Sequence, residues 1–201
     1  MKNKINPLKQ LIMRVGEYNG IADIGEIARR YFAMNAFDGV LTIMGVLMGN
    51  LAANVESTQI VVTTGLTTCI AMGISGLWGS YLTESAERKR ELDDLSRQTL
   101  TDLNGSRLGK ASKYAAVIVS LVDGFSPFLA SLIVLMPFFF YELLPNIQWV
   151  YYTSLATGLL TLFGLGIFLG NISKQNLLVS GMKTVFAGII AILISTLLGV
   201  D

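Results

Sequence analysis

Five apolar runs, each long enough to cross a lipid bilayer as a helix, constrain this chain more than any other feature. A helix needs about 20 predominantly apolar residues to span the hydrocarbon core. The runs cover residues 31–53, 60–82, 114–144, 149–169 and 177–200. They are continuous rather than alternating, which points to helices and away from barrel strands. Charge is correspondingly sparse. Only 14% of the 201 residues are charged and the mean hydropathy is +0.58, whereas soluble domains carry about 25% charge. The expected fold is therefore an all-α membrane protein of five transmembrane helices.

The charges that remain divide the loops. Lys2, Lys4, Lys9, Arg14, Arg29 and Arg30 precede the first run, and Arg88, Lys89, Arg90, Arg97, Arg107, Lys110 and Lys113 lie between the second and third. The first-to-second and third-to-fourth connections hold no Lys or Arg. The positive-inside rule then places the N-terminus in the cytoplasm and the C-terminus on the far side, in the cell membrane if the chain is prokaryotic. Tyr31, Trp78, Tyr81, Tyr141, Trp149, Tyr151 and Tyr152 stand where an interfacial aromatic belt is expected. Residues 1–29 show apolar positions at helical spacing (Leu8, Leu11, Ile12, Val15, then Ile21, Ile24, Ile27) and read as a cytoplasmic amphipathic segment. No secretory leader is expected ahead of the transmembrane domain of residues 30–201. Within that domain, residues 84–112 form the one long polar stretch. It reads as a cytoplasmic helical extension of the second helix, ending at Asn104-Gly105.

Two acids fall inside the apolar runs. Asp38 lies eight residues after Arg30, about 12 Å deep at the helical rise of ~1.5 Å per residue. Placing a carboxylate at such depth costs roughly 2.5–3.5 kcal/mol, so such residues face a protein interior or a watery cavity. Asn35 and Thr42, at i−3 and i+4, share its helix face, with Met34 at i−4. Asp123 lies ten residues past Lys113, about 15 Å deep from the same side. Each acid is followed by glycine, Asp38-Gly39 and Asp123-Gly124. Two carboxylates in low dielectric repel unless a cation or a proton joins them. Ser126-Pro127 is expected to break the third helix and free carbonyls there.

The second run is rich in small and hydroxyl residues. Gly65, Cys69 and Gly73 are four apart, a spacing that lets membrane helices pack closely. Met72 lies among them as a soft thioether. There is no histidine and one cysteine. Histidine-based nucleophilic triads and multi-cysteine metal sites are therefore excluded, and no enzyme is expected. A net charge of +1 gives no electrostatic footprint for nucleic acid. A bound metal would meet mainly oxygen ligands, which suit manganese, ferrous iron, magnesium or calcium.

The stretch from Arg30 to Gly49, with Asn35, Asp38-Gly39, Thr42 and Gly45, resembles the first helix of the vacuolar iron transporter family. Residues 73–87, Gly-Ile-Ser-Gly-Leu-Trp-Gly-Ser-Tyr-Leu-Thr-Glu-Ser-Ala-Glu, resemble the end of that family's second helix. Leu135-Met136-Pro137-Phe138 and the stretch from Gly170 to Gly199 are similar to its third helix end and its fifth helix. The resemblance implies a homodimer that exchanges ferrous iron or manganese for protons along a path at the dimer interface. It implies that Asp38 stands on that path. Glu84 and Glu87 fall near the acidic positions that begin the family's cytoplasmic metal-binding domain, with Glu91 beyond them. Gly76 stands where the family usually has a methionine, and Met72, one turn away, could replace its thioether. The polar connection is short for a full metal-binding domain.

The expected function is transport of a divalent ion, with iron or manganese as substrate and no resident cofactor. Asp38, Asn35, Thr42, Met34, Met72 and Asp123 form the candidate ligand set, and Glu84, Glu87 and Glu91 the candidate capture set. A non-transporting membrane scaffold or regulatory subunit on the same fold is the alternative.

Overall fold

A computed structural model describes residues 24–198. Five long helices follow one another: α1 (Ile24–Ala52), α2 (Thr58–Thr99), α3 (Arg107–Phe139), α4 (Ile147–Ile172) and α5 (Leu177–Leu198). All five are long and apolar enough to cross a membrane. The N-terminal amphipathic segment lies outside the described residues up to position 23; Ile24 to Arg30 already form the first turns of α1. The C-terminal residues 199–201 lie outside them too.

The helix ends follow their capping chemistry. Ser106 caps α3 by accepting from the Gly109 N–H at 3.2 Å, and Asn146 caps α4 by accepting from the Trp149 N–H at 3.1 Å. The α2 helix ends earlier than the expected Asn104-Gly105 stop. Leu100 adopts a left-handed conformation (φ 49°) and its N–H closes back on the Ser96 carbonyl. Asn104-Gly105 lies in the turn that follows. There the Asp102 carboxylate accepts the Asn104 N–H and side-chain amide, both at 2.9 Å, which holds its pKa below the usual carboxylate range. The third span also stops sooner than residue 144: α3 closes at Phe139, and the Phe140 N–H bonds the Pro137 carbonyl.

Helix α3 is the pivot of the bundle, packing against α1, α2 and α4. The core is built from Val40, Ile43, Met44 and Leu47 of α1, Val134, Leu135 and Phe138 of α3, and Val150, Tyr151 and Leu162 of α4. Tyr151 is not part of the interfacial belt. It is buried, stacks edge-on against Phe138 at 5.1 Å, and donates its hydroxyl to the Val55 carbonyl at 2.9 Å, pinning the α1–α2 turn. Lipid is as apolar as leucine, so helix association here rests on close packing rather than on water exclusion. Small residues supply it. Gly65 seats Leu135, and Gly166 meets the backbone of Ser180 and Gly181 where α4 crosses α5. Thr184 donates across that crossing to the Leu162 carbonyl at 2.7 Å. Helix α5 rests chiefly on α4, and α2 rests chiefly on α3. A cleft is thereby left between α1 and α2, floored by α3.

At 42 residues α2 is the longest element, about 63 Å at the helical rise. That is roughly twice the hydrocarbon thickness. All of its charged residues lie from Glu84 onward.

Candidate ion site between α1 and α2

Two glycine contacts set the geometry of the site. A Cβ on Gly39 would stand 2.6 Å from the Cα and carbonyl oxygen of Pro127, so α1 and α3 cross backbone to backbone at that point. A Cβ on Gly76 would stand 2.8 Å from the Asp123 carbonyl oxygen, and one on Gly124 would stand 2.7 Å from the Gly73 carbonyl oxygen. The α2–α3 crossing is equally tight. A methionine has no room at position 76, which is a physical reason for the glycine there.

Pro127 does not break α3, contrary to expectation; the helix runs through it without interruption. The carbonyl is freed nonetheless. Proline has no N–H to give to the Asp123 carbonyl four residues earlier, and that oxygen faces Gly76. The helix survives because both neighbours press on it at this level.

Asp38 is exposed on the outer side of α1. It lines an open depression of about 360 Å³ with Asn35, Met72, Ser75, Gly76 and Pro127. Among the described residues it makes no hydrogen bond or ion pair. Asp123 is buried at 8% exposure and lies off the wall of this depression. Its carboxylate accepts a hydrogen bond from the Asn35 side-chain amide, which also donates to the Tyr31 carbonyl at 2.9 Å. The Ser80 hydroxyl lies against Asp123 but completes no well-formed hydrogen bond. Asn35 is thus the side chain common to the buried acid and the open one.

A polar chain continues toward the extension of α2. The Tyr31 hydroxyl donates to Glu84 at 3.0 Å, and the other Glu84 oxygen takes the Arg88 Nε at 3.0 Å. Of the candidate capture residues, Glu84 is therefore tied into this chain, while Glu87 and Glu91 are exposed. Met34 is 58% exposed, and neither it nor half-buried Thr42 lines the depression. The described residues hold no group of three or more acidic, cysteine or histidine side chains placed to share a metal.

Sequence reasoning places Ser75 and Ser80 among the small packing residues of the second helix rather than at the site, and it does not find the Tyr31–Glu84 bond. Ser75 sits three residues after Met72, on the same face, and that spacing could have found it. The Tyr31–Glu84 bond spans 53 positions, and no local pattern announces it.

Five helices long and apolar enough to cross a membrane, packed as one bundle, define a class: multi-pass membrane proteins. Two comparisons make this particular. The model of the VIT family matches residues 30–103 and 102–200, so the chain belongs to the VIT (vacuolar iron transporter) family, a family of membrane transporters. An uncharacterized protein of Methanocaldococcus jannaschii is 32% identical over 173 residues, covering 85% of this chain and 87% of that protein.

Proposed function

We propose that the protein carries a divalent metal ion, ferrous iron or manganese, across the bilayer in exchange for protons, with Asp38 as the central ligand. Membership of the VIT family supports divalent metal transport. One observation carries the assignment to Asp38: an uncompensated carboxylate, at membrane depth, opening on a depression that also holds the Met72 thioether, the Asn35 amide and the Ser75 hydroxyl. A carboxylate in that position is tolerable when a cation or a proton occupies it. One charged ligand among neutral ones binds weakly, as release requires. Asp123, bridged to the site by Asn35, is the group that would carry the proton.

A homodimer completes the reading. Asn35, Asp38, Thr42, Gly45 and Gly49 form one stripe on α1, and Thr64, Thr68, Ala71, Ser75 and Gly79 form another on α2. Gly45, Gly49 and Gly79 have no neighbour where a Cβ would stand. Small and polar stripes at this depth fit a second helix pair better than lipid. A second copy would turn the open depression into an enclosed path. The charged half of α2 then lies in the cytoplasm with the N-terminus, and the C-terminus lies opposite.

Vesicles containing the purified protein test this. Iron or manganese should enter vesicles whose interior is acidic while protons leave, and Asp38→Asn should abolish both fluxes. Equal flux in the variant would remove Asp38 from the path. No flux of iron, manganese, zinc or calcium in the unmodified protein would leave the scaffold reading.

A further inference from the structure

The far side of α2, a half-turn away from Met72 and Ser75, carries two cavities in line along the α2–α3 seam. One, about 630 Å³, is polar and basic; its walls include Ser85, Arg88 and Lys89 of α2, and Ser112 and Lys113 of α3. No carboxylate lines it. The other, about 380 Å³, is wholly apolar, bounded by Ile70, Ile74, Leu77 and Trp78 of α2 and by Phe125 and Phe128 of α3. The spacing shows that they share one face. On α2, positions 70, 74, 77, 81, 85, 88 and 92 follow one another at three or four residues; on α3, positions 109, 113 and 117 step by four, 124 lies two turns further along the same face, and 128 follows four residues later.

Their level in the bilayer matters as much. The basic cavity lies where the apolar run of α2 ends and that of α3 begins, with exposed Tyr81 and Val117 at its lipid-side rim. The N-terminal end of α3 adds the positive end of its dipole, since Gly109 lines the same cavity. Arg88 is partly neutralised by Glu84, but Lys89 and Lys113 are exposed and have no acidic partner among the described residues. From Lys113 to Phe125 is twelve residues, about 18 Å along the helix, a length that suits an acyl chain.

We propose that this seam is a binding site for an anionic phospholipid, its phosphate headgroup held by Lys89, Lys113 and Arg88 with the Ser85 and Ser112 hydroxyls, and one acyl chain lying in the groove beneath Trp78. A soluble phosphate would use the first cavity and leave the second empty. The lipid uses both, and it meets them in the order in which the bilayer presents headgroup and chain. The site lies on the face of α2 opposite the depression at Asp38, and Arg88, bonded to Glu84, is the side chain it shares with the polar chain that leads from that depression.

Native mass spectrometry of the full chain, purified in detergent, tests the site with three probes: phosphatidylglycerol, phosphatidylcholine with the same chains, and glycerol 3-phosphate. A lysine beside an anionic lipid contributes about fivefold, so two predict roughly a 25-fold preference for phosphatidylglycerol over phosphatidylcholine. Replacing Lys89 and Lys113 together by Gln should reduce that preference to near parity. Replacing Arg90 and Lys110 by Gln removes the same charge from positions outside the cavity and should preserve it. Ile74→Trp, which fills the groove, should weaken retention of both lipids and leave the preference between them. Equal retention of the two lipids by the unmodified protein would overturn the proposal. So would a cavity variant that behaves like the control, an Ile74→Trp protein with unchanged retention, or full displacement of the lipid by glycerol 3-phosphate at equal concentration.

Discussion

The two Asp-Gly pairs differ little in sequence and in depth, yet the fold gives them opposite surroundings. Asp38-Gly39 and Asp123-Gly124 each sit in the first half of an apolar run. In both, the glycine lets a neighbouring backbone approach to contact, Gly39 against Pro127 and Gly124 against Gly73 and Leu77. The carboxylates then diverge. Asp123 turns into the bundle and takes a hydrogen bond from Asn35, while Asp38 turns outward into an open depression and has no hydrogen bond or ion pair among the described residues. An acid with its bond satisfied holds structure together. An acid without one is an offer to an ion. Which of these a residue becomes depends on the helix face it occupies relative to the third helix.

If that contrast is right, replacing the two acids should separate transport from stability. The largest effect falls on Asp38→Asn. We expect metal flux into vesicles to drop at least about 100-fold, of the order lost when one group that acts only on the moving charge is removed, with thermal unfolding little changed because the side chain touches no partner. Unchanged flux, or a collapse in stability, would erase the distinction. Next come the glycines. Gly39→Ala and Gly124→Ala each place a methyl group within 2.6 Å of α3's Pro127 backbone or of the α2 Leu77 Cβ. Overpacking at such a contact costs about 1–3 kcal/mol. Both variants should unfold earlier in detergent, and by similar amounts. Gly45→Ala, which meets nothing within 4 Å, should not. Equal tolerance of all three would mean that the crossings are looser than described.

How much of this could be read from residue order follows the same division. The five spans, their sequence and the presence of two internal acids were legible, because apolar length is a local property and intramembrane charge is rare. That Gly65, Cys69 and Gly73 form a close-packing face was legible too, from spacing alone, but not that α3 is the helix they pack against. What distance along the chain hides is the facing. Nothing near residue 123 announces that Asn35, 88 positions earlier, will bond it. Nothing near Tyr151 says that it leaves the aromatic belt to hold the Val55 carbonyl. Pro127 misled in a more instructive way. A proline normally interrupts a helix because a carbonyl is left unpaired and the ring crowds the preceding turn. Here α1 and α2 clamp that turn from two sides, and tertiary contact overrides the local preference. Thr42 and Met34, chosen by i±4 spacing, do not line the depression for a related reason: spacing selects a stripe on one helix, and a cavity selects only part of a stripe.

Asp123 offers the next test. Asp123→Asn can still accept from the Asn35 amide, so we expect the fold to hold and proton-coupled flux to fall, from loss of a proton carrier only. Asp123→Ala leaves the Asn35 amide without that partner, and a buried polar group left unsatisfied costs about 1–3 kcal/mol. A thermal shift in the alanine variant with none in the asparagine variant is the expected pattern. Equal shifts would mean that the charge, rather than the hydrogen bond, is what the bundle requires.

The smallest effect belongs to the far end of the polar chain, and it decides whether that chain is structural or conducting. Glu84 holds the Tyr31 hydroxyl and Arg88 together, with side-chain exposures of 16% and 12% for Glu84 and Arg88. The pair is an i,i+4 contact near the slab boundary. Such pairs contribute at most about 0.5 kcal/mol when exposed to solvent, and somewhat more where water is scarce. Glu84→Gln keeps an oxygen for Tyr31 and loses only the charge, so unfolding should shift by about a degree or two and the two Asp variants should keep their order. A loss of flux in Glu84→Gln as large as that of Asp38→Asn would change the comparison, because the ion or its proton would then have to pass along Glu84, Tyr31 and Asn35 rather than through the open face of α1. Arg88→Gln separates the two cases further. It frees the Glu84 carboxylate without removing it, so a structural chain loses a little stability and a conducting one gains a stronger cation ligand at its mouth.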